Sequence, residues 1–311
     1  MHIKPIDFSG KLIVHIGPHK TGTTSIQRAL DRDYERLKDV GILFPRAGRT
    51  RNGKTLHLHH PLILSLVGEL SRHGEAPPQH SKIISELRAE IQEAEPHSII
   101  ISSEILAREY LSSQVYRDLQ SIFPKAERVW VAYLRKQDDL AMSRYAEHIK
   151  VGILSWPDGI RHVTRPENLD HRLRLERLAY AVGDDKIMPV SFDARKRDLM
   201  DSFFEAGGIT PPEPTPEATR DNTSLPWRTL YFLRYANAMP GPLRRISRRA
   251  IRGLSRRVEG SKARGMLNAK HPLTEHQAKE IRNRYAASNR WVEETYWDGA
   301  SLLTSEHDDT R

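Results

Sequence analysis

The chain has 311 residues, with 49 lysines and arginines against 40 aspartates and glutamates, and a formal net charge of +9. This length suits one large α/β domain or two small ones. There is no cysteine, which excludes disulfide bonds and thiolate metal sites. The apolar run within residues 1–17 is too short for a signal peptide, and no stretch reaches the length of a membrane-spanning helix, so we expect a cytoplasmic protein.

The first predicted element is a short strand that runs into a glycine-containing loop. Residues 11–16 read KLIVHI, and from Thr24 to Val40 apolar side chains recur at three- and four-residue intervals, as in a helix. The loop between them, Gly17 to Thr24, reads GPHKTGTT. In this setting backbone N–H groups and the helix dipole can bind a phosphate.

Strand and helix patterns then alternate along the chain. Further strands are predicted at residues 41–45, 98–102, 128–134 and 187–192, and helices near His60, at 81–94, after Glu104 and at 138–150, with a polar loop at 46–54. This alternation predicts an α/β fold of P-loop type, a parallel β-sheet with helices on both faces.

A proline-rich stretch, Thr210 to Pro216, marks the expected end of the sheet-containing part. Beyond it the pattern is helical, with helices predicted at residues 227–238 and 274–296 on either side of a basic segment. We therefore predict a single domain over residues 1–311, with an α/β core at about 10–210 and a helical C-terminal part at about 217–300.

The loop has the glycine spacing of a Walker A motif, but its lysine is displaced. In Walker A, G-x-x-x-x-G-K-[ST], the lysine follows the second glycine. Gly17, Gly22 and Thr24 match, whereas Thr23 stands in the lysine position and Lys20 precedes Gly22 by two residues. Lys20 would lie over a bound phosphate, where a cation stabilises a bridging oxygen that gains charge as its bond breaks.

A second motif follows the strand predicted at residues 128–134. Arg135 stands at its carboxyl end, and Ser143 lies about two turns into the next helix. If that helix turns back across the strand end, the guanidinium and the hydroxyl can reach one phosphate. The guanidinium would then donate two parallel hydrogen bonds and the hydroxyl one. Two such motifs, each at a predicted strand-to-helix junction, favour a phosphate-binding enzyme over a chance match.

Together PHKTGTT and the pair Arg135 and Ser143 resemble the donor-binding motifs of the sulfotransferase family, strongly over the first half of the chain and weakly beyond it. The insertion of His19 between Pro18 and Lys20 resembles a variation in the glycan-sulfating and bacterial members. Residues Arg220 to Leu225 resemble a C-terminal segment of the bacterial members. The resemblance implies transfer of a sulfuryl group from 3′-phosphoadenosine 5′-phosphosulfate (PAPS) to a hydroxyl or amine, without a metal, leaving adenosine 3′,5′-bisphosphate (PAP).

The resemblance also implies which residues bind the donor. The 5′-phosphosulfate would contact the loop, that is Gly17, Pro18, His19, Lys20, Thr21, Gly22, Thr23 and Thr24. The 3′-phosphate would contact Arg135 and Ser143, and a basic loop late in the chain would close over it, for which Lys262 and Arg264 are the candidates. Lys20 would stabilise the leaving group.

Three residues are candidates for the general base. His59 and His60 lie in the sequence LHLHHP, and an imidazole titrates near working pH. Glu104 directly follows the strand predicted at residues 98–102, where sites in open parallel sheets gather. The structural alternatives are solvent-facing histidines at a helix start and a glutamate that caps a helix. A metal cluster of the histidines is disfavoured, because the loop has neither cysteine nor carboxylate.

The basic segment from Arg244 to Arg264 has nine basic residues and one acid, and it suits an anionic acceptor or the donor's phosphates.

A first alternative function is a P-loop kinase or nucleotide hydrolase. The displaced lysine and the arginine directly after the 128–134 strand argue against it. A second is nucleic-acid or membrane-surface binding by the basic segment, against which stand its few apolar residues and its lack of aromatic ones. The acceptor, whether glycan, lipid or small metabolite, and the oligomeric state are not determined by the sequence.

Overall fold

The described residues of the computed structural model cluster into two compact units that alternate along the sequence. The first combines residues 1–135, 171–220 and 291–311, and the second residues 136–170 and 221–290. The described residues are 5–18, 20–51, 53–68, 80–108, 111–155, 159, 163–164, 169–218, 225, 227–259 and 273–303. The single domain expected from the sequence, with its core at about 10–210, stays a prediction.

A five-stranded parallel sheet forms the centre of the first unit. The strands are β1 (Lys11–Ile16), β2 (Ile42–Leu43), β5 (Ser98–Ser102), β6 (Glu127–Leu134) and β7 (Lys186–Ser191). Their spatial order is β2-β5-β1-β6-β7, so β1 lies in the middle. All neighbouring pairs are parallel, and Val14 of β1 is in register with Ile101 of β5 and Trp130 of β6.

Helices cover both faces of this sheet. Along β1, Leu12 and Val14 pack into one core and Ile13 into the other, because successive side chains of a strand point to opposite faces. One face packs against α3 (His60–Val67), α4 (His80–Ala94), α5 (Ser113–Ile122) and α7 (His171–Val182). The other packs against α1 (Thr23–Arg32), α2 (Tyr34–Asp39), the short α8 (Phe192–Arg195) and α9 (Leu199–Gly207). The predicted fold class is confirmed.

Three details differ from the sequence prediction. The helical pattern of residues 24–40 is broken at Asp33, whose carboxylate pairs with Arg32 at 2.9 Å and Arg36 at 2.7 Å. The predicted loop at 46–54 contains part of a small hairpin, β3 (Thr50–Arg51) and β4 (Lys54–Thr55). After β5 comes a 3₁₀ turn, Glu104–Ala107, and α5 begins only at Ser113.

The second unit is helical. It contains α6 (Gln137–Val151), α10 (Trp227–Asn237), α11 (Gly241–Glu259) and most of α12 (Glu275–Tyr296). Their shared core includes Leu140, Tyr145, Leu233 and Ile281. The helices predicted at residues 138–150, 227–238 and 274–296 are confirmed to within about one residue. Among the described residues, no helix is both long and apolar enough to cross a membrane.

Candidate functional site

The loop after β1 is a tight bend whose shape follows from its own residues. A side chain on Gly17 would meet Thr23, because its Cβ would lie 2.1 Å from the Thr23 Oγ1. Gly22 has φ +77°, the left-handed region that favours glycine, and its Cβ would lie 2.8 Å from Leu199. The Thr21 hydroxyl donates to the Pro18 carbonyl at 2.8 Å, and that of Thr23 does so at 3.4 Å.

The amino terminus of α1 points its N–H groups into this bend. α1 begins at Thr23, its N-cap Gly22 has no capping side chain, and its first turn contains no acidic residue. The first-turn N–H groups of a helix have no acceptor within it, and the dipole makes this end attractive to anions. Thr23 is buried and its hydroxyl bonds inside the loop, so Thr24, which is half-buried, is the better placed threonine to meet an anion.

Lys20 has an unusual backbone conformation. Its φ is +76°, in the left-handed region that non-glycine residues rarely adopt, and this costs about 1 kcal/mol. The side chain is half-buried. Strain of this kind persists only where the surrounding structure imposes it, and it gathers at functional sites. His19, which precedes Lys20 in the loop, lies outside the described residues.

Arg135 reaches the loop from the end of β6. Its Nη1 donates to the Lys20 carbonyl at 3.1 Å, and its guanidinium carbon lies 5.4 Å from the centre of the Phe192 ring. The Nε lies 3.9 Å from the Asp193 carboxylate, and His171 Nε2 donates to the Arg135 carbonyl at 2.8 Å. The guanidinium is thus placed by contacts on three sides, with 22% of the side chain exposed.

Phe192 and Asp193 were missed in the sequence analysis. Both directly follow β7, which neighbours β6. The carboxyl ends of neighbouring parallel strands meet at one edge of a sheet, and this rule could have found them.

The other predicted donor-binding residues are not tested by these contacts. Ser143 lies on α6 in the second unit, whereas Arg135 ends the first part of the first unit, so the pairing of the two residues stays a prediction. Lys262, Arg264 and residues 220–224 lie outside the described residues.

A buried polar cluster lies between the ends of β1 and β5. His15 Nδ1 shares a 2.9 Å hydrogen bond with the Ser102 hydroxyl, which also accepts a 3.0 Å bond from Gln27 Nε2 of α1. All three side chains are buried, and the edges of Tyr133 and Phe203 border the imidazole. Burial lowers the pKa of His15 to about 4, with Glu104 acting in the opposite direction, so the imidazole is neutral at pH 7.

His59 has the surroundings of a structural histidine. It is fully buried, its Nε2 donates to the Pro45 carbonyl at 3.0 Å, and its Nδ1 accepts from the Ser102 N–H at 3.1 Å. Burial first, and the charge of Arg49 next, hold its pKa well below the ordinary value. To act as a base, His59 would have to give up a backbone bond.

His60 and Glu104 are half-buried at the end of β5. His60 Nδ1 lies 3.1 Å from the Ser103 hydroxyl. Ser103 is also the N-cap of the 3₁₀ turn, since its side chain accepts from the Ile105 N–H. Ser103, rather than Glu104, therefore provides the cap.

The three histidines of LHLHHP have different partners. His57 Nδ1 lies 2.6 Å from Asp31, whose other carboxylate oxygen accepts from the buried Arg49 at 2.6 Å. His59 bonds to backbone groups and His60 to Ser103, as described above. Within the part of the chain that the structure describes, no group of three or more histidines and carboxylates is arranged to hold a metal ion.

Comparison with known proteins gives similarity in structure only. No protein-family model and no curated protein sequence matches the chain. A sulfotransferase from Alicyclobacillus acidocaldarius is similar at TM-score 0.44 and 13% identity, over 69% of this chain and 86% of that one. The sulfotransferase domain from the curacin biosynthetic pathway is similar at TM-score 0.42 and 10% identity, over 92% and 99%.

A third similar structure comes from the PezAT chromosomal toxin-antitoxin system of Streptococcus pneumoniae, with TM-score 0.32 and 14% identity, over 66% of this chain and 87% of that one. Likeness at these levels leaves the function to be inferred from the residues of this chain.

Proposed function

We propose that the chain is a sulfotransferase that uses PAPS as its donor. The observation that carries this proposal is the contact between Arg135 and the Lys20 carbonyl at 3.1 Å. It brings two cationic residues to one bend, beside the amino terminus of α1. Lys20 precedes this helix instead of standing in its first turn, which suits a donor with one phosphate beside the transferred group better than a triphosphate chain.

Each part of the bend has a chemical role in this proposal. The N–H groups of the first turn of α1 and the hydroxyl of Thr24 bind the 5′-phosphosulfate. The acceptor oxygen or nitrogen forms a bond to sulfur while the bond from sulfur to the bridging oxygen breaks. The leaving PAP takes up the negative charge, which Lys20 stabilises. Arg135 binds the 3′-phosphate, with Ser143, Lys262 and Arg264 as further proposed contacts.

Glu104 is the residue we propose as general base. It follows β5, the neighbour of β1, on the edge of the sheet that carries the loop. It is close enough to His15 to affect the pKa of that imidazole, and Ser103 already provides the helix cap. His60 is the alternative, since its ring is half-buried beside the same turn. The proton of the acceptor would pass to this base as the bond to sulfur forms.

A P-loop kinase or nucleotide hydrolase is the second candidate function. Thr24 stands where a Walker A motif has its metal-binding hydroxyl, and Glu104 supplies a carboxylate at the end of the strand next to β1. Such an enzyme would need a magnesium ion and a triphosphate.

Nucleotide binding separates the two candidates. We expect PAP without metal to raise the melting temperature, and ATP with magnesium to leave it unchanged. Arg135→Ala should weaken PAP binding about tenfold or more, through the loss of charge-assisted hydrogen bonds. The matched control is Arg117→Ala on α5, whose side chain is exposed. Stabilisation by ATP with magnesium alone would favour the kinase.

Turnover tests the role of Lys20. With water as the acceptor, release of PAP from PAPS should fall about a hundredfold in Lys20→Ala, because the leaving group loses its cation. Affinity for PAP should change much less. Lys125→Ala, at an exposed lysine after α5, is the control. Equal losses of affinity and turnover in Lys20→Ala would contradict the proposed role.

A further inference from the structure

Apolar side chains are concentrated on the surface around the turn between α10 and α11. Nine large apolar residues are exposed among the described residues, and five of them lie within fifteen positions, with 42% to 67% of each residue exposed. These five, the hairpin patch, are Phe232, Tyr235, Met239, Leu243 and Ile246. Single exposed apolar residues are ordinary on protein surfaces, whereas apolar residues exposed together are typical of interaction sites. Five of them on two consecutive helices therefore point to such a site.

Helical spacing places these residues on faces that the core does not use. Phe232 and Tyr235 are three positions apart on α10, as are Leu243 and Ile246 on α11, so each pair shares one side of its helix. Another side of α10 is buried in the core of the second unit, through Leu230 and Leu233. The Ser247 hydroxyl contacts the Met239 sulfur at 3.3 Å, which holds the turn against α11.

The same hairpin carries the chain's excess positive charge. Residues 225–259 contain nine arginines, no lysine or aspartate, and one glutamate, Glu259, the last residue of α11. The whole chain has 49 basic and 40 acidic residues, so the remainder has 40 basic and 39 acidic residues and is nearly neutral. Arg244, Arg245 and Arg249 are exposed on α11, the first two between Leu243 and Ile246 of the hairpin patch and the third shortly after it.

Arg248 differs from these three arginines. It bonds to the Asn237 side chain and, at 2.7 Å, to the Lys150 carbonyl. This arginine holds α11 against α10 and α6, and so keeps the apolar side of α11 in its exposed position.

We propose that the hairpin patch and its arginines bind the surface of an anionic lipid bilayer. Exposed apolar side chains beside arginines, without any acid among them, match the boundary between acyl chains and anionic headgroups. A nucleic acid would use the arginines but would gain little from Leu243 and Ile246. This surface goes beyond the proposed sulfuryl transfer and does not depend on it.

Sedimentation of the full chain with lipid vesicles tests the proposal. We expect binding to vesicles of phosphatidylcholine with phosphatidylglycerol, none to phosphatidylcholine alone, and weaker binding as salt is raised. The double variant Leu243→Ser with Ile246→Ser should lower the affinity about tenfold, through lost apolar burial. Arg244→Glu with Arg245→Glu should lower it similarly. The control is Tyr180→Ser, at an exposed tyrosine of the first unit, which should bind as the unchanged chain does.

Three results would overturn the proposal. One is absence of binding to the anionic vesicles at low salt. Another is loss of binding in the arginine variant only, with the serine variant binding as the unchanged chain does. The third is tighter binding to duplex DNA than to vesicles. Circular dichroism shows whether each variant is folded. The single variant Phe232→Ser tests the loss of an apolar side chain on α10 as the double serine variant does on α11. PAP binding should be unchanged in the serine variants at Phe232, Leu243 and Ile246, which have no place in the proposed donor site. This separates a failure here from a failure of the proposed function.

Discussion

The loop after β1 and the hairpin of α10 and α11 place their polar groups in opposite ways. Around the loop, His15, Gln27 and Ser102 are buried and hydrogen-bonded to one another. On the hairpin, arginines and apolar side chains are exposed together. Buried polar groups that share hydrogen bonds hold a fixed geometry, whereas exposed charges can bind the surface of a large partner. Substitutions should therefore affect geometry and turnover at the first region, and surface binding at the second.

The largest effect is expected at the general base. Glu104→Gln should lower PAP release from PAPS, with water as acceptor, about a thousandfold, because the glutamine cannot accept the proton. His59→Gln should instead lower the free energy of unfolding and change turnover little, since its imidazole bonds only to backbone groups. A thousandfold loss in His60→Gln with none in Glu104→Gln would assign the role to the histidine.

The next effect is a pH dependence of stability that comes from His15. Its pKa is about 4 in the folded protein against 6.5 ordinarily, so between these values the unfolded chain binds more protons. The contribution of neutral His15 to the free energy of unfolding is fully present above pH 6.5 and is lost as the pH falls through 4. The free energy of unfolding falls by about 3 kcal/mol as a result. His59, with its pKa also lowered, acts in the same direction.

Denaturant unfolding over this pH range measures that effect. His15→Asn should flatten the dependence of the unfolding free energy on pH, because the buried imidazole that resists protonation is removed. The same slope in His15→Asn and in the unchanged chain would show that another group is responsible.

A smaller effect is expected at Gly17. In Gly17→Ala the new methyl would overlap the Thr23 side chain, so the loop must shift. Overpacking of this kind costs about 2 kcal/mol, and we expect both the melting temperature and the affinity for PAP to fall. Gly159→Ala has nothing within 4 Å of its Cβ and is the control. Unchanged PAP affinity in Gly17→Ala would remove the loop from the proposed site.

The smallest effect distinguishes two neighbouring arginines of the hairpin. Arg248→Ala should cost about 1 kcal/mol of unfolding free energy, because its hydrogen bonds to Asn237 and the Lys150 carbonyl are lost. Arg249→Ala, at an exposed residue, should leave stability unchanged. Equal changes in the two variants would mean that the hairpin does not depend on the Arg248 contacts.

Much of the fold could be predicted because its patterns are local. The strand at residues 98–102 is observed with the same limits, and β6 begins one residue before the predicted strand. The break at Asp33 could not be predicted, because the apolar spacing continues through it and the carboxylate only pairs with neighbouring arginines once the chain turns. The 3₁₀ turn after β5 is too short to produce a helical period.

The candidate site also has a part that could be predicted from the sequence and a part that could not. The spacing of Gly17, Lys20 and Gly22 predicted the loop, because it depends only on residues close together in the chain. The contacts of Arg135 with Phe192 and Asp193 could not be predicted from the sequence, because those residues directly follow β7, more than fifty positions later. Nor could neighbouring histidines be told apart, although His59 is buried and His60 only half-buried.

The sequence by itself determined the alternation of strands and helices, the strand-loop-helix order around Lys20 and the concentration of arginines after residue 225. These are properties of residues near one another in the chain, set by backbone periodicity and composition. Only the tertiary structure decided which polar groups are buried, what Arg135 contacts and which apolar side chains of the hairpin remain exposed. Burial and pKa depend on residues that are distant in sequence and meet only when the chain folds.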